Sequence, residues 1–258
     1  MTVTRKVAQR AIATVAPYRG ELFLTRDADE LIPVLRMELE PAVAAVVAAE
    51  APPGAAPEAL KALAVVVRSQ FSAGRGRHAE FDFCDTTHCQ FLRSDPKPAH
   101  PASLAARGTA GLVIEYSGKV VPAMYSASCG GHTLALADVG MTDGEGYPYY
   151  AVATASCQRE PDAWTRRLPR NDLTLRLESH SEAARIHVGR RYGWAAVPSN
   201  QYTLSAAGAE LVIKGAGHGH GIGLCERGAA AMAKSGADFR AILEHYFPNT
   251  RLVPLSKP

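Results

Sequence analysis

Long apolar runs are missing from this chain of 258 residues. None approaches the roughly 18 residues that a membrane-spanning helix needs, so no span is expected. Dense Lys/Arg runs are missing too, and aromatic residues do not alternate with basic ones. With a formal net charge of only +3, nothing resembles a nucleic-acid footprint. Internal repeats and low-complexity tails are absent. Near the start, basic residues precede AIATVA, which is shorter than the about 7–15 apolar residues of a signal-peptide core. The chain therefore reads either as cytoplasmic or as a protein whose export signal has been removed. Two catalytic signatures are also lacking. Without HExxH a zincin-type centre has no support, and without GxGxxG or GK[ST] the Gly-rich KGAGHGHGIGLCERGAA is not a nucleotide loop.

What is present is globular: 47% apolar and 21% charged residues, with 22 Gly and 17 Pro. That length buries a sizeable core as one large domain or two modest ones. Residues 17–37 alternate as short strands around a turn. LEPAVAAVVAAEAP reads as a helix with Pro41 just inside its start, and PEALKALAVVVRSQFSAG as a second, opened by Pro57 and closed by Gly74. AGLVIEYSGKVVPAMYSAS is a hairpin turning at SGK, and YTLSAAGAELVIKG another. Between them, 134–200 is loop-rich, with a helix at LTLRLESHSEAARIHVG. Two helices close the chain, Leu224 to Lys234 and ADFRAILEHYF, the latter stopped by Pro248. Helices and hairpins cluster without regular alternation, which predicts an α+β fold of mixed helices and antiparallel hairpins.

The helix from Pro57 is apolar nearly all round and is therefore expected to be buried. Glu58, on the face of Ala62 and Val65, sits at the edge of dry surroundings. Burial raises a carboxyl pKa toward the range a general acid needs, while a helix N-terminus lowers it. An ordinary first-turn glutamate is the competing explanation. RGRHAEFDFCDTTHCQFL gathers His78, Cys84, His88 and Cys89, the ligand types of a tetrahedral zinc site. A Cys84–Cys89 disulfide is the alternative. Cys129 and Cys157 either close a disulfide or pack unpaired, leaving Cys225 as the odd one out, weakly suggestive of a nucleophile beside His218 or His220. The glycines around His218 and His220 project both rings near a helix start, where anions or sugar hydroxyls dock.

Taken together, LEPAVAAVVAAEAP…PEALKALAVVVRSQ, CDTTHCQ, YSASCGGHT, YPYYAV and GHGIGLCERGAAAMAKSGADFRAILEHYFPNT resemble, in order, the motifs of the stage II sporulation protein D/LytB family. The resemblance spans residues 17–254, behind an N-terminal extension of residues 1–16, as one domain with room for two lobes. It implies a substrate groove and a lytic transglycosylase that cleaves the β-1,4 bond between N-acetylmuramic acid and N-acetylglucosamine in peptidoglycan. It makes Glu58 the catalytic acid and favours zinc, in a structural role, at His78, Cys84, His88 and Cys89. Gln90, Ser126, Ser128 and His220 fall on positions that line the family's groove, and Tyr147, Tyr149 and Tyr150 offer stacking faces if they are not core. The family's SQY triplet is here Cys225, Glu226 and Arg227, and its AARTY ends as Ser69 and Gln70. Glu226 would add a second carboxylate if it reached the cleavage site, and Glu50 keeps the acidic position of the family's sEmP segment. The family further implies an extracytoplasmic setting, peptidoglycan strands as partner and, through its LytB branch, a non-catalytic amidase enhancer as the alternative.

Overall fold

The longest helix among the described residues explains the arrangement around it. In the computed structural model, which describes residues 2–7, 10–15, 18–27, 30–74, 78–84, 89, 92, 95–142 and 146–255, two hairpins lead the chain. β1 (Thr2–Val7) pairs with β2 (Arg10–Val15), and β3 (Glu21–Asp27) with β4 (Glu30–Arg36). Then come α1 (Leu39–Glu50) and α2 (Pro57–Ala73). Val43 to Val47 of α1 are all buried, as is every residue of α2 from Ala62 to Phe71. A helix with that little polar face is stable only when neighbours cover it on several sides. α3 (Pro101–Gly108), α1 and the C-terminal helices do so.

The next strands and helices run β5 (Leu112–Tyr116), β6 (Lys119–Val120), β7 (Tyr125–Ser126), α4 (Ala155–Arg159), β8 (Ala163–Pro169), α5 (Asp172–Leu175) and α6 (Glu182–Tyr192). The rest is β9 (Tyr202–Ala207), β10 (Glu210–Ala216), β11 (Leu224–Cys225), α7 (Glu226–Lys234), α8 (Phe239–Tyr246) and β12 (Arg251–Pro254). Two antiparallel sheets of three strands form, β12–β5–β6 and β8–β10–β9, while β7 and β11 make a short parallel pair. The fold is α+β, as the clustering of patterns predicts. The SGK turn between β5 and β6 has positive φ at Ser117 (50°) and Gly118 (81°), the conformation that matches a hairpin's twist.

Two apolar cores result. The larger joins α1, α2, α3, β5, α7 and α8; the smaller holds Trp164, Leu177, Val188, Tyr202, Leu211 and Ile213 beneath the β8–β10–β9 sheet. One predicted element divides. The helix expected over LTLRLESHSEAARIHVG is α5, a 3₁₀ turn (Arg176–Ser179) and α6, broken at His180 (φ 51°). Two side chains decide this: Asn171 accepts from the amides of Leu173 and Thr174, and Ser181 accepts from Ala184 N at 3.2 Å, so each segment has its own cap. The last two helices are found where the pattern puts them, although α7 begins at Glu226, after a strand residue pair. Among the described residues no helix is long and apolar enough to cross a membrane.

Candidate active site

Glu58 occupies the second position of α2, but it is not dry. Its side chain is 30% exposed, and Lys61, one turn on, donates to Oε1 at 2.6 Å. Oε2 accepts from the backbone amide of Phe239 at 2.9 Å, the first residue of α8. The Lys61 hydrogen bond outweighs the effect of burial and, with the Phe239 amide, holds the carboxyl below its ordinary range. Of the opposing influences expected on Glu58, burial does raise its pKa but is outweighed. The side chain is an ionised cap that ties the start of α8 to the start of α2.

A second carboxyl has the property that Glu58 lacks. Glu226, the first residue of α7, is pushed up to about 8 by burial and then by the negative charge of Glu50, the last residue of α1. A helix N-terminus lowers a carboxyl pKa, so desolvation and like charge here overcome the local dipole. The meeting arises because α2 packs against both α1 and α7. Glu226 faces a small apolar depression whose wall includes Ala51, Ala55, Ala59 and Leu60. Tyr125 completes the group. Burial, then the charges of Glu50 and Glu226, push its phenol well above 10, so it stays protonated.

Ser126 and Ser128 are both buried, and Ser126 Oγ has no hydrogen-bond partner among the described residues. The backbone of Ser128 bridges that of His218 in both directions, at 3.2 and 2.8 Å. His220 Nδ1 accepts from Ile222 N at 3.0 Å, which puts the proton of a neutral ring on Nε2. Burial pushes the His220 pKa down, Glu182 opposes that, and a hydrogen bond links the ring to the Tyr125 backbone. Behind it, Arg185 grips Glu182 with two bonds of 2.7 and 2.6 Å. Asn200 Nδ2 donates to Glu182 at 2.6 Å and to the His220 carbonyl at 3.3 Å. The smaller core thus positions His220, which sits against Tyr125. Tyr125 opens the YSASCGGHT motif but is not marked out as a functional residue there, and the Glu182–Arg185–Asn200 network carries no mark in the sequence.

Of the expected metal ligands, His78, Cys84 and Cys89 converge, with their donor atoms all within 4.8 Å of one another. His78 Nε2 lies 3.3 Å from Cys89 Sγ, and the two cysteines are thiols rather than a disulfide. One imidazole and two thiolates at such separations suit zinc, whose bonds to N and S are about 2.0–2.3 Å long. His88 and Gln90 lie outside the described residues. Tyr147 and Tyr149 are core residues, donating to the carbonyls of Pro248 and Pro122; of the three tyrosines only Tyr150 is exposed. Cys129 and Cys157 are not joined, and Cys225 is no outlier, because its sulfur lies with theirs.

Fold and site define a mixed α+β protein with a carboxyl pair at two helix ends and a separate Cys/His cluster after α2. The sequence model of the family described as Stage II sporulation protein matches residues 27–116. Stage II sporulation protein D of Bacillus amyloliquefaciens is 22% identical over an alignment covering 95% of this chain and 85% of that protein. An uncharacterized protein of Brachyspira hyodysenteriae is 29% identical, over 93% of this chain and 73% of its own length. The amidase enhancer of Bacillus subtilis shares 39% identity along 54 residues, 21% of this chain and 8% of that protein. Residues 27–116 thus carry the stage II sporulation protein match, and over most of its length the chain is similar to a stage II sporulation protein D.

Proposed function

We propose that this protein is a peptidoglycan lytic transglycosylase that cleaves the β-1,4 bond between N-acetylmuramic acid and N-acetylglucosamine, acting outside the cytoplasmic membrane where that polymer lies. The observation that carries this reading is Glu226, a carboxyl that burial and the neighbouring Glu50 push up to about 8. Glu226 protonates the leaving glycosidic oxygen. It then accepts the proton of the muramic acid C6 hydroxyl as that oxygen closes the 1,6-anhydro ring, so one carboxyl serves both steps and no protein nucleophile is required. Glu50 sustains the Glu226 pKa, and the Tyr125 phenol and Ser126 hydroxyl are donors for sugar and N-acetyl oxygens. Glu58, the acid that the family resemblance implies, is ionised and engaged by Lys61 and Phe239, which suits holding α8 better than proton donation.

Zinc at His78, Cys84 and Cys89, with His88 as the fourth ligand that the sequence supplies, would brace the segment after α2 as a closed structural centre. The presence of a second carboxyl makes hydrolysis the nearest rival chemistry, with Glu50 activating water. The short match to an amidase enhancer supports a second reading, a wall-binding module that acts on a partner amidase.

Incubation with glycan strands stripped of stem peptides separates these. The expected products carry 1,6-anhydromuramyl ends, and Glu226→Gln lowers their formation about 10²–10⁴-fold, the usual contribution of a general acid. Glu58→Gln is expected to keep most of the rate while lowering stability. Loss of product in folded Glu58→Gln with Glu226→Gln still active would return the donor role to Glu58. Free reducing ends would mean hydrolysis, and wall binding without any change in muropeptides would mean the non-catalytic module.

A further inference from the structure

Three cysteines that the proposed reaction does not use meet in the larger core. Cys129 follows β7, Cys157 lies in α4 and Cys225 ends β11, and all three are at most 1% exposed. Their Sγ atoms all lie within 4.8 Å of one another, with Cys157 and Cys225 at 3.8 Å. A disulfide needs sulfurs about 2.05 Å apart and would use only two of the three. A three-coordinate ion with metal–sulfur bonds of about 2.3 Å instead sets its sulfurs roughly 4.0 Å apart, close to the 3.8 Å between Cys157 and Cys225 and inside the 4.8 Å limit on all three pairs.

The surroundings suit thiolates. Backbone amides of Cys129 and Gly228 each donate to Cys225 Sγ at 3.3 Å, and Cys225 is itself the cap of α7, where the helix dipole favours negative charge. Arg227 adds positive charge close to Cys157. The oxygens of Thr154 and Tyr246, 3.4 Å apart, lie in the same core.

We propose that Cys129, Cys157 and Cys225 form a buried three-sulfur site for a thiophilic d10 cation, Zn2+ or Cu+. Each thiol still protonated releases its proton to solvent as its bond to the ion forms. The site is separate from the His78–Cys84–Cys89 cluster. An ion there clamps α4, the start of α7 and the strand bearing Ser126, and so fixes the backbone that places Glu226.

The test uses the full chain carrying Cys84→Ser and Cys89→Ser, reduced and metal-free under anaerobic conditions, with the unsubstituted chain in parallel. ZnCl2 or a Cu+ acetonitrile complex is added, excess is removed, and bound metal is counted by mass spectrometry. The expected result is one equivalent of one of these ions, a three-sulfur shell by X-ray absorption, and a rise in Tm of about 5–10 °C. Adding Cys157→Ser removes that equivalent; should this variant not fold, the sulfur count in its parent decides. In the unsubstituted chain the same change lowers the total by one. Retention of less than about 0.1 equivalent of both ions by folded, reduced protein overturns the proposal. So does a disulfide between any two of the three cysteines in protein isolated without reductant that neither ion prevents.

Discussion

A carboxyl at the first residue of a helix is normally among the stronger acids of a protein, because unpaired amides and the helix dipole favour its anion. Glu226 departs from that rule through burial and the charge of Glu50, and the departure has consequences for stability. Between the ordinary carboxyl value near 4.5 and about 8, the folded state holds a proton that the unfolded state has lost. Stability therefore falls as pH rises through that window and levels off above it. Glu226→Gln, which cannot ionise, should flatten the slope and leave the protein more stable than the parent near pH 8, by on the order of a few kcal/mol at most. Urea unfolding at a series of pH values measures this, and equal slopes for parent and variant would show that Glu226 titrates normally. Glycan cleavage by the parent should decline over the upper end of the same range, as the donor loses its proton.

At the scale of elements, one side chain joins four of them. Arg68 of α2 is fully buried; its Nε and Nη2 meet both oxygens of Glu40 in α1 at 2.8 and 2.6 Å. The remaining donors reach the carbonyls of Ala106 in α3 and Leu112 in β5, both at 3.0 Å. Removing the carboxylate leaves a guanidinium without its counter-charge in a dry interior, so Glu40→Ala should cost about 3–5 kcal/mol, with the replacement Glu40→Ala/Arg68→Met recovering part of it. Equilibrium denaturation of the two variants checks both halves. None of this was visible beforehand, since an Arg in an apolar helix gives no sign of its partner. Ser69 is similar: it reads as a departure from the family pattern, yet its hydroxyl accepts from Ile114 N at 2.9 Å and docks β5 on α2.

What could be read was whatever depends on neighbours in the chain. Pro57 at the start of α2, Gly74 at its end and the SGK turn are local steric facts, and they appear where the sequence puts them. β8 and α3 were missed, the former because its burial is set by β10 and the latter because its cap is a histidine, His100, whose Nδ1 accepts from Ala102 N. The carboxyl pair was half legible. Glu50 and Glu226 could be singled out separately, but only the packing of α2 between α1 and α7 brings them together and turns attention from Glu58.

For the molecule as a whole, two cores share one site. The smaller core, under β8–β10–β9, supplies the Glu182–Arg185–Asn200 network behind His220, whereas the larger carries Glu50, Tyr125 and Glu226. Arg227 of α7 also pairs with Asp162, just ahead of β8, and with Glu160. Loosening either core is therefore felt at the candidate site.

The sheet β12–β5–β6 closes the chain on itself. β5 ends at Tyr116, the last residue matched by the family's sequence model, and β12, formed by Arg251–Pro254, runs alongside it from Glu115 to Leu112. The matched stretch is therefore not a module that can be lifted out. A fragment of residues 27–116, expressed alone, would present β5 as a bare template with both flanks unzipped and α2 stripped of its coat. It should accumulate as insoluble aggregate, recoverable as a soluble partner only when residues 117–255 are supplied in trans; a monomeric, cooperatively melting fragment would contradict this.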